Sequence, residues 1–169
     1  RSYSRRPSAS RATAASDTVA APKADSNADS QGAVTLEVVD IESYHQALAK
    51  HKGKVVFVDF WATWCGPCQG PMAENQAIMR KHKEDWKGKA TILAVSIDDE
   101  LETVKKHLDK NDWHETHNTW AVPEAGGEAG WSSPAAELYG INSIPTMIIV
   151  DKDGVIRKRG HVSDIEGEM

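Results

Sequence analysis

The sequence predicts an α/β fold, a central β-sheet flanked by helices. Three observations carry this. Short β-branched apolar runs at 34–39, 54–62, 91–97 and 146–150 are too brief for helices. Segments with apolar residues three and four apart lie between them. The run 54–62 reads apolar on both faces, as expected of a strand covered from both sides.

Each element follows from its local chemistry. A strand over 34–39 leads to a helix with Asp40 as its N-cap, and Ile41, Tyr44 and Leu48 share one face. Gly53 closes that unit, and 54–62 is the central strand. A long helix is expected over 65–82. Pro67 is tolerated in its first turn, and a kink is expected near Gly70-Pro71. A second buried strand covers 91–97. Asp98 or Asp99 is expected to cap the next helix, whose apolar stripe is Leu101, Val104 and Leu108. From 111 to 133 the periodicity breaks, and the stretch reads mainly as a loop holding Trp113, Trp120 and Trp131. A short helix over 134–139 ends at Gly140 as its C′ residue. The strand 146–150, the turn Asp151-Lys152-Asp153-Gly154 and a strand over 155–162 form a hairpin. Ser163-Asp164-Ile165-Glu166 is a capping box that announces a closing helix, expected to be truncated at Met169.

Two segments result: a tail over 1–32 and a folded domain over 33–169. The tail is rich in Ser, Ala and Arg and poor in large apolar residues, so it is expected to be a disordered tail or a targeting remnant. Net charge is −5, from 20 Lys and Arg against 25 Asp and Glu, which argues against a nucleic-acid or membrane-surface partner. No apolar run is long enough to span a bilayer. A monomer is expected.

The chain has only two cysteines, in Trp64-Cys65-Gly66-Pro67-Cys68, where the central strand runs into a helix. Two cysteines exclude a multi-bridge scaffold and a zinc site built of cysteines alone. A cysteine at a helix start is stabilised as the thiolate by unpaired N–H groups and the helix dipole. Cys65 therefore suits the attacking role. Cys68, one turn on and on the same face, can resolve a mixed disulfide. Asp59 is the one carboxyl group among Val55, Val56, Phe57, Val58 and Phe60, and burial is expected to raise its pKa towards neutrality. The pair His114 and His117 has no third ligand nearby and reads as polar loop residues.

The run from Val58 to Cys68, with Tyr139-Gly140-Ile141-Asn142-Ser143-Ile144-Pro145-Thr146, resembles the active-site and cis-proline segments of the thioredoxin superfamily. The length between these motifs and the Ile-Val-Asp-x-Asp-Gly ending are similar to its TlpA-like branch of extracytoplasmic thiol-disulfide oxidoreductases, some of which serve cytochrome c maturation. The chain departs from that pattern at Pro71, where a Glu is frequent, and at Ala73, where relatives have a kinking proline.

The resemblance implies a thioredoxin fold with a mixed sheet, an insertion before the cis-proline segment, and a redox-active Cys65–Cys68 disulfide. It implies that Asp59 is the general acid/base for Cys68. It implies that Trp64, Gly66, Pro67, Ile144 and Pro145 bind substrate, with an extended polypeptide adding beside a cis Ile144–Pro145 bond. No metal or organic cofactor is expected. The implied partners are protein thiols and disulfides and an unidentified electron donor. The branch points to a bacterial envelope; the Arg-, Ser- and Ala-rich tail points to a mitochondrion or plastid. Two rival functions are a binding or assembly subunit on the same fold, and a thiol peroxidase. The intact cysteines, Asp59 and Pro145 count against the first, and the residues around Cys65 do not match the second.

Overall fold

A computed structural model of the chain describes residues 36–39, 46, 48–121 and 130–161. The elements with bounds among these residues are β1 (Leu36–Val39), β2 (Val55–Trp61), α1 (Gln69–Lys81), β3 (Ala90–Ser96), α2 (Leu101–Asn111), β4 (His117–Ala121), α3 (Pro134–Leu138), β5 (Thr146–Val150) and β6 (Ile156–Gly160). Short 3₁₀ turns occupy Gly66–Cys68 and Gly130–Ser132. The expected tail and closing helix lie outside the described residues. So do Asp40, Ile41 and Tyr44 of the first helix, although Gln46, Leu48 and Ala49 are helical.

The strands form one mixed sheet in the order β1-β4-β3-β2-β5-β6. β1, β4, β3 and β2 run parallel, and β5 and β6 are antiparallel additions. β2 is central, as its two-sided apolar pattern predicts. Val56, Val58 and Phe60 face one side, where Phe60 lies against Tyr139 beside α3. Phe57, Asp59 and Trp61 face the other, against Trp86, Asn75 of α1 and His107 of α2. The hairpin turn is built by Asp151, whose Oδ1 accepts from the N–H groups of Asp153 and Val155 (both 2.9 Å), with Gly154 at φ +84°. α3 ends in a Schellman motif. Gly140 sits at φ +56°, with Ile141 N–H donating to Ala136 O at 2.8 Å and Gly140 N–H to Glu137 O at 2.9 Å.

Three sequence expectations are corrected. The long helix does not start at Cys65: Gly66–Cys68 is a 3₁₀ turn, and α1 begins at Gln69. Pro71 therefore falls in the first turn of α1, where its missing N–H costs no bond, and no kink at Gly70-Pro71 is required of it. Asp98 and Asp99 do not cap α2. Its N-cap is Glu100, without a side-chain cap bond, and Asp98 is engaged elsewhere.

The third correction is β4, which forms where a loop was read. Its burial rests on polar side chains: Asn118 and Thr119 are buried, Thr119 Oγ1 donates to Ala94 O at 3.1 Å, and Asn118 Nδ2 donates to Trp113 O at 3.0 Å. The segment entering β4 is clasped by Gln76 of α1. Its Oε1 accepts from the N–H groups of Glu115 (2.8 Å) and Thr116 (3.3 Å), and its Nε2 donates to Thr116 Oγ1 (2.8 Å). Replacing Gln76 with Ala leaves these donors without that acceptor, in a place closed to water. Gln76→Ala is expected to lower the unfolding free energy by about 2 kcal/mol, read by urea titration. An unchanged midpoint would refute the clasp.

Candidate active site

β2 delivers the chain from Trp61 through Ala62, Thr63 and Trp64 to the cysteines. Cys65 and Cys68 are joined by a disulfide, with Cα atoms 5.3 Å apart. Cys65 is the N-cap of the 3₁₀ turn, Cys65 N–H donates to Ala62 O (3.2 Å), and Cys68 N–H donates to Cys65 O (3.2 Å). Cys65 keeps 5% of its surface exposed and Cys68 none. An incoming sulfur therefore meets Cys65. Gly66 and Pro67 lie on the surface beside it, and Trp64 is 57% exposed.

The antiparallel register pairs Phe60 with Thr146, which brings Pro145 beside the end of β2. The Ile144–Pro145 peptide is cis, and Pro145 is buried. Ile144 is half-buried and packs on the core that contains both cysteines. Cys65, Cys68, Trp64, Gly66, Pro67, Ile144 and Pro145 therefore gather at one end of the sheet.

Asp59 lies two residues before the end of β2 and is fully buried. Asn75 Nδ2 donates to its Oδ2 at 2.7 Å, while Oδ1 is buried without a hydrogen-bond partner. Burial pushes the carboxyl up from 3.8 to about 8, and the Asn75 bond pulls more weakly the other way. Cys68, Met72 and Asn75 follow one another at spacings of four and three and are all buried. The residue that holds Asp59 thus shares the inward helical face with the buried sulfur.

Two braces hold the loop between β2 and Cys65, and both involve residues that the sequence did not single out for the site. On one side is Asp98, just beyond β3 and 1% exposed. Its carboxyl accepts from Thr63 N–H (2.9 and 3.1 Å), Thr63 Oγ1 (2.5 Å) and Ser96 Oγ (2.7 Å). On the other side is Gln69, whose amide NH₂ faces the carbonyls of Cys65 (3.0 Å), Ala62 (3.3 Å) and Thr63 (3.4 Å). Its Oε1 lies 2.7 Å from His107 Nε2. With the Gln69 nitrogen turned to carbonyls, His107 must carry its proton on Nε2. Burial lowers the His107 pKa, Asp98 raises it and Lys110 lowers it.

The tryptophans separate by role. Trp61 is core, edge-on to Trp113 at 5.9 Å. Trp113 is buried, and Trp120 donates from Nε1 to Asp98 O at 2.7 Å, so both are anchors. Trp131 is exposed and faces Trp64. His114 pairs with Asp112, and His117 lies edge-on to His51. Among the described residues no group of three or more His, Cys, Asp or Glu could hold a metal ion. No helix among them is long and apolar enough to cross a membrane.

A mixed sheet whose central strand ends in a Cys-x-x-Cys disulfide, with a cis-proline at the neighbouring strand and a buried acid beneath, defines the class of thioredoxin-fold domains with a paired Cys-x-x-Cys. The chain belongs to the thioredoxin-like family, whose model matches residues 53–156. It is similar to the thiol-disulfide oxidoreductase ResA of Bacillus thuringiensis, 32% identical over 132 residues, covering 78% of this chain and 66% of that protein. It is similar to a thioredoxin of Chlorobaculum thiosulfatiphilum, 32% identical over 105 residues, covering 61% of this chain and 62% of the relative. The chain thus spans just under two thirds of the length of these curated relatives. In structure it resembles the exposed lipoprotein thioredoxin of Streptococcus pneumoniae, with TM-score 0.53 and 22% identity over 72% of this chain and 87% of the other.

Asp59 makes stability depend on pH. The unfolded chain loses this proton near pH 3.8, whereas the fold holds it to about pH 8. Between those values the folded state binds more protons, so stability falls as pH rises. Asp59→Asn cannot ionise. It is expected to be more stable than the parent at pH 8 by on the order of a few kcal/mol, with the gap closing towards pH 4. Denaturant titrations of the oxidised proteins across that range check this, and parallel curves would contradict it. For the first brace, Asp98→Ala is expected to cost about 2 kcal/mol. It should also speed hydrogen exchange at the Thr63 amide more than at core amides of β2, and equal protection would count against the brace.

Proposed function

We propose that this domain is a thiol-disulfide oxidoreductase acting on protein substrates through Cys65 and Cys68. The observation that carries the proposal is the asymmetry of the pair on a common turn, Cys65 keeping a small exposed surface and Cys68 none, with Asp59 buried behind. The Cys65 thiolate of the reduced domain attacks a substrate disulfide. A Cys65–substrate bond forms, and the other substrate sulfur leaves as a thiolate. Cys68 then gives up its proton and attacks Cys65. The Cys65–Cys68 disulfide forms, the substrate is released as a dithiol, and two electrons have passed to it. Run backwards, the same steps oxidise a dithiol.

Asp59 is assigned as the base that takes the Cys68 proton. A carboxyl group held near pH 8 by burial exchanges protons in the range where thiols do. Trp64, Gly66, Pro67, Ile144 and Pro145 are assigned to the substrate contact, the extended chain lying beside Pro145. An extracytoplasmic setting is favoured by the similarity to ResA and by the resemblance to the TlpA-like branch. The electron donor is a dithiol of unassigned identity.

In the reduced protein, alkylation at neutral pH is expected at Cys65 well before Cys68, followed by peptide mass mapping. Cys68→Ser is expected to accumulate mixed disulfides through Cys65 with protein partners, which reductant releases. Slow, equal alkylation of the two sulfurs together with no trapped partner would sink the reading.

A further inference from the structure

Trp64 and Trp131 place two indole rings in water beside the reactive sulfur. They are 57% and 43% exposed, and their centroids are 6.4 Å apart with planes tilted by 59°. Two large aromatic rings exposed side by side form an apolar patch of the kind that marks contact sites. Both rings are nevertheless held by rigid backbone. Trp64 lies between Thr63, tied to Asp98, and Cys65, tied to Ala62. Trp131 follows Gly130, which sits at φ +82° so close to the end of β3 that a Cβ there would lie 3.2 Å from Ile97 O. Behind it, Ser133 N–H donates to Gly130 O at 3.1 Å, and Ser133 Oγ accepts from Ala136 N–H at 3.3 Å as the cap of α3. The rings are pre-positioned, so a ligand that covers them need not order them first.

We propose that the Trp64–Trp131 pair selects the substrate polypeptide, taking an aromatic or large aliphatic side chain next to the target cysteine. The proposal rests on the exchange reading above. The occupant follows from continuity with the sulfur. Trp64 is bonded to Cys65 and its ring lies against that of Trp131, so a chain that presents its sulfur to Cys65 comes up beside the pair. Trp64 is the chain neighbour of Cys65, so the substrate side chains that meet the pair are those next to the reacting cysteine. Two tilted rings offer a face and an edge, the arrangement in which a third aromatic ring packs favourably. Asp99 lies beside this surface, its Oδ1 3.7 Å from the position of a Cβ on Gly130, so an acidic residue at the same place in the substrate is repelled.

The test uses the full chain in its reduced form and three disulfide-bonded peptides. These differ only in the residue next to the reactive cysteine: Phe, Ala or Glu. Exchange is quenched with acid and resolved by chromatography. The parent protein is expected to react with the Phe peptide roughly tenfold faster than with the Ala peptide, and slowest with the Glu peptide. Trp131→Ala is expected to bring the Phe-to-Ala ratio to within about twofold, whereas Trp131→Phe keeps most of it. The ratio is insensitive to a general loss of folded protein or of thiol reactivity. A parent ratio near one, or a ratio unchanged in Trp131→Ala, overturns the proposed selectivity while leaving exchange intact. Failure to react with any of the three peptides overturns both the exchange reading and the selectivity.

Discussion

A strand hydrogen-bonded on both edges and covered on both faces cannot slip, because a shift of one residue would turn each inward group outward. β2 is such a strand, and the groups of the site are placed relative to it. Its pairing with β5 brings Pro145 to its end. Its alternation sends Phe57, Asp59 and Trp61 to the face covered by α1 and α2, and Phe60 towards Tyr139. Its last residue leads into the loop that carries Cys65. The carboxyl group of Asp59 is therefore locked where it is costly as a charge, and Asn75 answers only one of its oxygens. The position of this carboxyl group is set by the central strand that carries it.

The braces divide the work between strand and helix. Asp98 binds Thr63 from the end of β3, and Gln69 binds the carbonyls on either side of Trp64 from the start of α1. The loop is thus tied to both neighbours of β2 in the βα unit. The N–H groups of Thr63 and Cys65 and the carbonyls of Ala62, Thr63 and Cys65 are bonded within the protein, while the Trp64 side chain faces outward. His107, packed against Trp61 and Trp113, links the Gln69 brace to the aromatic core.

What could be read from the sequence was what local pattern encodes. The two-sided apolar run of β2, the hairpin turn at Asp151, the C′ glycine of α3 and the Cys-x-x-Cys at a strand end each have short-range signatures. Asp59 stood out because it interrupts an apolar run, and resemblance supplied the cis peptide at Pro145. β4 was missed because two of its three buried members are Asn118 and Thr119, and hydropathy counts such residues as loop. Asp98 looked like a helix cap because its partner Thr63 is 35 positions away in the chain. Asn75 and Gln76 gave no signal either, since their partners lie on β2 and before β4. Trp113, Trp120 and Trp131 share a residue type, and only tertiary neighbours separate anchor from surface.

The outer hairpin strand carries one more consequence. β6 closes one side of the sheet, and Arg157, Lys158 and Arg159 follow one another along it, with Arg157 bonded to Asp151. An unpaired strand edge is a template for any other extended chain, including a second copy of the same protein. A run of basic residues along that edge works against such pairing, because two such edges bring like charges together. Positive charge along β6 thus discourages other extended chains from adding at that edge.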